Sequence, residues 1–234
     1  MDRERAGKAT VVQLRELLQQ RFPQSQPASL SGLVTGIPGI DGPLGGGLPR
    51  ASVSELVEKH PGSGGQLFLV ALLEAVWRLH RFVALVDAMD GFDPGTVEPC
   101  LLRHLLWVRG NGVVPAMQAA DLLTRDNNMA ALVLDLRDAP ERDLRRIPAT
   151  VWFRFQRVVE TTEMALVVVT PHSMVSSARV RLQLNHPLPL AAFDRPRRNL
   201  QANLTPVLHR HPAAAAGEVR SMKCEGRSRN EATG

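Results

Sequence analysis

Three runs of the chain, FVALVDA (residues 82–88), ALVLDL (131–136) and ALVVVT (165–170), are apolar at nearly every position. A strand sends successive side chains to opposite faces, so a run without polar alternation must be covered on both. Strand patterns at 53–58, 82–88, 104–108, 130–136, 165–170 and 179–184 alternate with helix patterns at 64–80, 94–102, 115–127 and 140–162. The alternation predicts an α/β fold, a mostly parallel central sheet flanked by helices on both faces. The last strand patterns follow each other closely, so one sheet edge is expected to be antiparallel.

The 234 residues, 44% of them hydrophobic, suffice for one well-buried core. Ahead of it, Val11, Leu14, Leu18 and Phe22 fall on one helix face, Pro23 ends that helix, and PQSQPASLSG reads as a linker. Residues 1–30 are therefore assigned to an amphipathic helix and linker, and residues 31–200 to the core. Past Leu190 the periodicity fades, and residues 201–234 are expected to be a basic tail, disordered from about 205 onward. Residues 1–176 hold 18 basic and 19 acidic side chains, whereas residues 177–234 hold 10 and 4, so the excess charge sits at the C-terminal end. No apolar run approaches the ~18 residues of a membrane span, and the charged start MDRERAGKAT lacks a secretory pattern. Cys100 and Cys224 lie in unrelated contexts and suggest neither a disulfide framework nor a metal site. A cytoplasmic location is the expectation.

Between the first strand and the first long helix stands HPGSGGQL, where a phosphate-binding loop belongs. Such loops follow G-x-x-x-x-G-K-[ST]: glycines free backbone N–H groups to wrap phosphate, lysine neutralises it and the hydroxyl holds Mg²⁺. Here Gly62, Ser63, Gly64 and Gly65 keep the turn, but Gln66 replaces the lysine, Leu67 the hydroxyl, and His60 the first glycine. Lys59 lies before the turn. The loop reads as a tight strand-to-helix connection, and no cofactor, ATP included, is expected. Asp87 and Asp135 end two strands, where α/β proteins place metal and catalytic groups.

In order and content these pieces resemble the RecA-type recombinase core. TGIPGIDGPLGGGLPRASVSELVE is similar to the segment leading into that family's first core strand, although PRA stands for its usual P-R-G at Ala51. HPGSGGQL sits at its phosphate loop, VALVDAMDGFDP at its second strand, ALVLDL at its second acidic strand and ALVVVTP before its second DNA-binding loop. GGGLPRA, LLWVRG, LVLDLRD, RFQRVVETTEMALVVVTP and VRLQL are closer still to ImuA-type proteins, accessory factors of bacterial mutasomes. The resemblance covers roughly residues 30 to 190. It implies a RecA-like core acting through protein contacts in DNA-damage-induced, translesion mutagenesis. The implied partners are a translesion-polymerase homologue, a damage-inducible replicative-type polymerase and RecA itself. It also locates a missing base: the family's glutamate two residues after the strand-ending aspartate falls on Met89, with Asp90 one residue beyond.

Two other classes stay open: a divergent RecA-type ATPase acting on single-stranded DNA, and a SulA-like cell-division inhibitor. The family's DNA-binding loops correspond to RDAPERDLRRIP, with Arg145 and Arg146 among mixed charges, and to PHSMVSSA, with no Arg, Lys or aromatic. Arg195, Arg197 and Arg198 in DRPRRNL are the better nucleic-acid candidates. Trp77, Trp107 and Trp152 with Phe155 read as packing. His209 and His211 lack a third ligand, so no metal is expected. In RecA an N-terminal helix docks on the neighbouring subunit, which makes Val11, Leu14, Leu18 and Phe22 partner-binding candidates.

Overall fold

The computed structural model describes residues 32–210. The chain enters through Leu33, which bridges to Leu48, and through a short helix α1 (Pro38–Asp41). Asp41 folds this entry, its Oδ1 accepting from the Thr35 N–H and hydroxyl at 2.9 Å each and its Oδ2 from the Gly36 N–H at 2.8 Å. Gly47 is required beside it, because a Cβ there would lie 2.3 Å from the Leu33 carbonyl oxygen. Then follow β1 (Ser52–Glu58), α2 (Gly65–Arg78), β2 (Phe82–Asp87), α3 (Pro99–Leu102), β3 (Leu105–Arg109), α4 (Val113–Leu123) and β4 (Met129–Asp135). The remainder is α5 (Glu141–Leu144), α6 (Ala149–Val159), β5 (Ala165–Thr170), β6 (Val180–Leu184), α7 (Arg197–Ala202) and β7 (Val207–Arg210).

The seven strands form one sheet in the order β3-β2-β4-β5-β1-β6-β7. Every neighbouring pair is parallel except β6 with β7. The strands divide their apolar residues as a two-faced sheet requires. Leu56, Val83, Leu85 and Val133 meet Phe68, Leu69 and Leu72 of α2 in one core. Val53, Ala84, Val86 and Leu132 meet Ala116 of α4 and Trp152 and Phe155 of α6 in the other. Each such fully buried Leu or Phe stabilises the fold by about 1.5–3 kcal/mol. The α/β class with a mostly parallel sheet covered on both faces is thus present. Among the described residues no helix is long and apolar enough to cross a membrane.

Two helix patterns break where proline dictates. The 94–102 pattern becomes a 3-10 turn, Pro94–Thr96, and the separate α3. The 140–162 pattern divides at Pro148, whose ring disfavours helical backbone at Ile147, into α5 and α6. The antiparallel edge exists, but β7 supplies it; β5 and β6, close in sequence, both run parallel to β1.

The expected tail begins too early. Residues 197–202 are helical, 207–210 form an edge strand, and Leu200, Gln201 and Leu204 are buried. Leu200, Gln201, Leu204 and the half-buried Leu208 hold the segment, with no period for a sequence pattern to show. Leu204 Cδ1 packs so closely over Gly64 that a Cβ at that glycine would meet it at 2.6 Å. Leu204→Ala should therefore lower unfolding free energy by about 2–4 kcal/mol in chemical denaturation. A chain ended at Asn203 should lose at least as much.

Candidate functional site

Strand β1 is flanked by β5 and β6, while its successor β2 lies beyond β4, so the chain order reverses around β1 and leaves a crevice at the carboxyl ends of the strands. Three carboxylates end strands there: Glu58 on β1, Asp87 on β2 and Asp135 on β4. The glycine loop closes over the crevice, with Gly62 (φ 77°) and Gly64 (φ 114°) in left-handed conformations that glycine adopts without strain.

The loop has an internal anion. Glu58, only 5% exposed, turns back under it, and its Oε1 accepts from the Ser63 N–H at 3.0 Å and the Gly65 N–H at 3.2 Å. Backbone donors of this kind are what a phosphate would use. The other oxygen, Oε2, accepts from Arg137 Nη1 at 2.7 Å. Arg137 also donates its Nε to both oxygens of Asp135 at 2.9 Å and its Nη2 to Oδ2. Burial would lower the Arg137 pKa, but Asp135 and then Glu58 outweigh it and raise it, so the guanidinium stays charged. Gly65 makes room for this pair: a Cβ there would lie 2.1 Å from Glu58 Oε2 and 2.4 Å from Arg137 Nη1.

The remaining predicted residues of the pocket are drawn into local structure. Gln66 reaches Thr96 Oγ1 at 3.4 Å, and Leu67 lines a cavity of about 440 Å³ together with Leu188 and Phe193. Asp87, 3% exposed, accepts from the N–H groups of Met89, Gly91 and Phe92 at 3.3, 3.1 and 2.8 Å, which caps the turn after β2. Met89 is exposed. Asp90 pairs with Arg109, which also stacks over Trp107 at 5.0 Å. The Arg109 hydrogen bond holds the Asp90 carboxyl below its usual range.

The candidate arginines separate into two places. Arg145 pairs with Glu141 at 2.8 Å and Arg146 with Asp143 at 3.6 Å, both on the exposed surface of the α5 turn. Arg195 and Arg197 line the cavity beside the glycine loop, and Arg197 also donates to the Thr96 carbonyl, while Arg198 is exposed. Their segment straps the loop, with the Leu188 N–H donating to the Gly62 carbonyl at 3.0 Å and Gln201 Nε2 to that of Leu67 at 3.4 Å. Trp152 packs as expected, but Trp77 is 42% exposed and does not serve the core. Val11, Leu14, Leu18 and Phe22 lie outside the described residues.

A second buried carboxylate governs the segment 171–178. Glu55, fully buried, accepts at Oε1 from Thr170 Oγ1 at 3.1 Å and from the Met174 and Val175 N–H groups at 2.7 and 3.0 Å. Its Oε2 accepts from Arg181. Glu55, Glu58 and Arg137 were missed as site residues in the sequence. Their signal was two glutamates inside an apolar strand, SVSELVE, with arginines at matching depth in LDLRD and VRLQL. Buried carboxylates demand partners. No family model matches the chain, and no characterised protein matches it.

Removing one member of the Glu58–Arg137–Asp135 cluster leaves an uncompensated buried charge. Arg137→Met should cost about 3–5 kcal/mol. In a double-mutant cycle measured by urea denaturation, Glu58→Gln with Arg137→Met should cost less than the sum of the singles. A second titration lies beside the cluster. The Asp138 carboxyl is raised above its ordinary 3.8, first by burial and then by Asp135 and Asp87, against the lowering pull of Arg137. A carboxyl with a higher pKa folded than unfolded costs stability above the unfolded value, and the cost fades as pH falls through it. Asp138→Asn should raise the melting temperature at about pH 7 and lose that gain near about pH 3.5.

Proposed function

We propose that the chain is a RecA-like, ImuA-type accessory protein of damage-induced translesion mutagenesis that works by protein contact and has lost nucleotide chemistry. One observation carries the loss: the Glu58 carboxylate accepts from the Ser63 and Gly65 N–H groups of the glycine loop, and Arg137 holds it there. An incoming triphosphate would have to displace that carboxylate against its ion pair and accept the field of Asp135 and Asp87. Gln66 offers no compensating charge, Leu67 no metal ligand and Met89 no base. These replacements weigh against the divergent-ATPase reading.

The sheet order, the strand-end aspartates and the strap over the loop accord with a RecA-like core, whose motifs the sequence resembles from TGIPGID to VRLQL. The 171–178 segment, held by Glu55 and Arg181, supports a role for that end of the sheet other than gripping a DNA strand with a flexible loop. The partners on this reading are the translesion-polymerase homologue and the damage-inducible replicative-type polymerase, with RecA as a third. The cavity beside the glycine loop takes no ATP.

Two measurements test this. Titration of the full chain with a fluorescent ATP analogue should give no saturable signal, and Gln66→Lys with Leu67→Thr should restore little while Glu58 remains. Adding Glu58→Gln to that pair should permit weak binding without turnover, because no base is supplied. Co-purification with the polymerase homologue should succeed without nucleotide. ATP turnover abolished by Asp135→Ala, or failure to bind either polymerase, would overturn the reading.

A further inference from the structure

The amino-terminal ends of β2 and β3 lie opposite the glycine loop and expose side chains that the core does not use. From the last turn of α2 to the first residue of β2 runs Trp77-Arg78-Leu79-His80-Arg81-Phe82. Its flanking neighbours, Val76 and Val83, are fully buried and make the core contacts, while Trp77 is 42%, Leu79 51% and Phe82 44% exposed. His104, at the start of β3, stacks on Phe82 with ring centroids 5.5 Å apart and 27° between planes. Its Nδ1 lies 2.7 Å from the Arg81 carbonyl oxygen, which fixes the stack. Arg78 and His80 on the same turn, and Arg103 next to His104, are also exposed. Of the nearby acids, Glu74 lies 3.6 Å from Arg78, and Asp126 accepts the Asn128 N–H at 2.8 Å. Cationic groups therefore predominate.

The presentation is rigid and carries a cost. The helix closes with the His80 N–H donating to the Trp77 carbonyl at 3.0 Å and the Arg81 N–H to that of Val76 at 3.1 Å. His80 takes φ 52°, the left-handed position where helices ordinarily place glycine. Arg81 Nη2 ties the turn to the Asn127 carbonyl at 3.0 Å. A side chain kept where glycine would be less strained points to a use for that side chain.

We propose that this ridge binds single-stranded nucleic acid, with bases stacking on Trp77 and Phe82 and phosphates meeting Arg78, His80 and Arg103. Exposed ring faces beside cations are what an unpaired strand requires: stacking is tolerant of sequence, and phosphate contact releases counterions. An acidic protein surface would satisfy the charges but leave no reason for exposed flat rings next to them. The site is at the opposite end of the sheet from the loops that the RecA resemblance assigns to DNA, and it needs no nucleotide.

The full chain is titrated with a twenty-residue oligothymidylate while tryptophan emission and oligonucleotide anisotropy are followed. Emission should fall as anisotropy rises, because Trp77 is exposed whereas Trp152 is buried and the half-buried Trp107 is engaged by Phe92 and Arg109. Trp77→Ala should remove most of the quenching and weaken binding roughly ten-fold. Arg103→Gln should lower the slope of log affinity against log salt by about one. His80→Gly should raise the melting temperature yet weaken binding, a combination that a purely structural turn does not produce. Arg157→Ala, exposed on α6, should change nothing. Absence of quenching, unchanged binding in Trp77→Ala, or loss of binding confined to Arg195→Ala and Arg198→Ala would overturn the proposal. Polyglutamate competing through Trp77 as effectively as the oligonucleotide would assign the ridge to an acidic protein instead.

Discussion

The carboxylate of Glu58 is the group on which the rest of the site depends. It ends β1, accepts the N–H groups of the glycine loop, and meets Arg137, which in turn holds Asp135 at the end of β4. Between β1 and β4 lies β5, so the cluster spans the end of a third strand. Two carboxylates and one guanidinium leave a formal charge of about −1 at low exposure, tolerable only because backbone N–H groups share the load. An anion from solution faces a site that already holds one.

Glu55 repeats the device one turn of the pleat away. On β1 it points to the opposite face from Glu58, binds Arg181 of β6, and draws the 174–175 backbone onto the sheet. One strand therefore carries two buried carboxylates, each answered by an arginine from another element and each fixing the loop at its end. A glycine turn and a post-strand segment that in a nucleotide-driven machine need freedom to move are both fastened from below. The C-terminal segment adds a third fastening through Leu188, Gln201 and Leu204.

The sheet was legible because its strands are buried on both faces and so write long apolar runs. FVALVDA, ALVLDL and ALVVVT announce β2, β4 and β5 without knowledge of distant contacts. Helix ends were less legible, since Pro148 and Pro99 impose breaks that the apolar period overlooks. The site was legible only by subtraction. Gln66, Leu67 and Met89 showed what a nucleotide loop lacks, but nothing in one dimension tells that Glu58 and Arg137, 79 positions apart, fill the gap. Leu204 was unreadable for the same reason: a single leucine in a polar stretch has no period, and its burial depends on Gly64 lying beneath it.

These fastenings give the two ends of the sheet different characters. At the carboxyl ends, charge is consumed internally: Glu58, Asp87 and Asp135 each spend their oxygens on the protein's own donors. At the amino ends around β2 and β3, rings and cations face solvent, and a histidine occupies a glycine's backbone position. A fold ordinarily concentrates chemistry at the carboxyl ends of parallel strands because loops and helix N-termini converge there. Once those donors are satisfied from within, that end can still offer shape to a protein partner, and an anion there would meet Arg195 and Arg197 of the C-terminal strap only beside the strand-end carboxylates. Any contact with phosphate is then left to arginines outside those clusters, and the described fold offers two sets: Arg195 and Arg197 with Phe193 beside the glycine loop, and Arg103 with the turn from Trp77 to Phe82. The second set lies away from the carboxylates that end β1, β2 and β4.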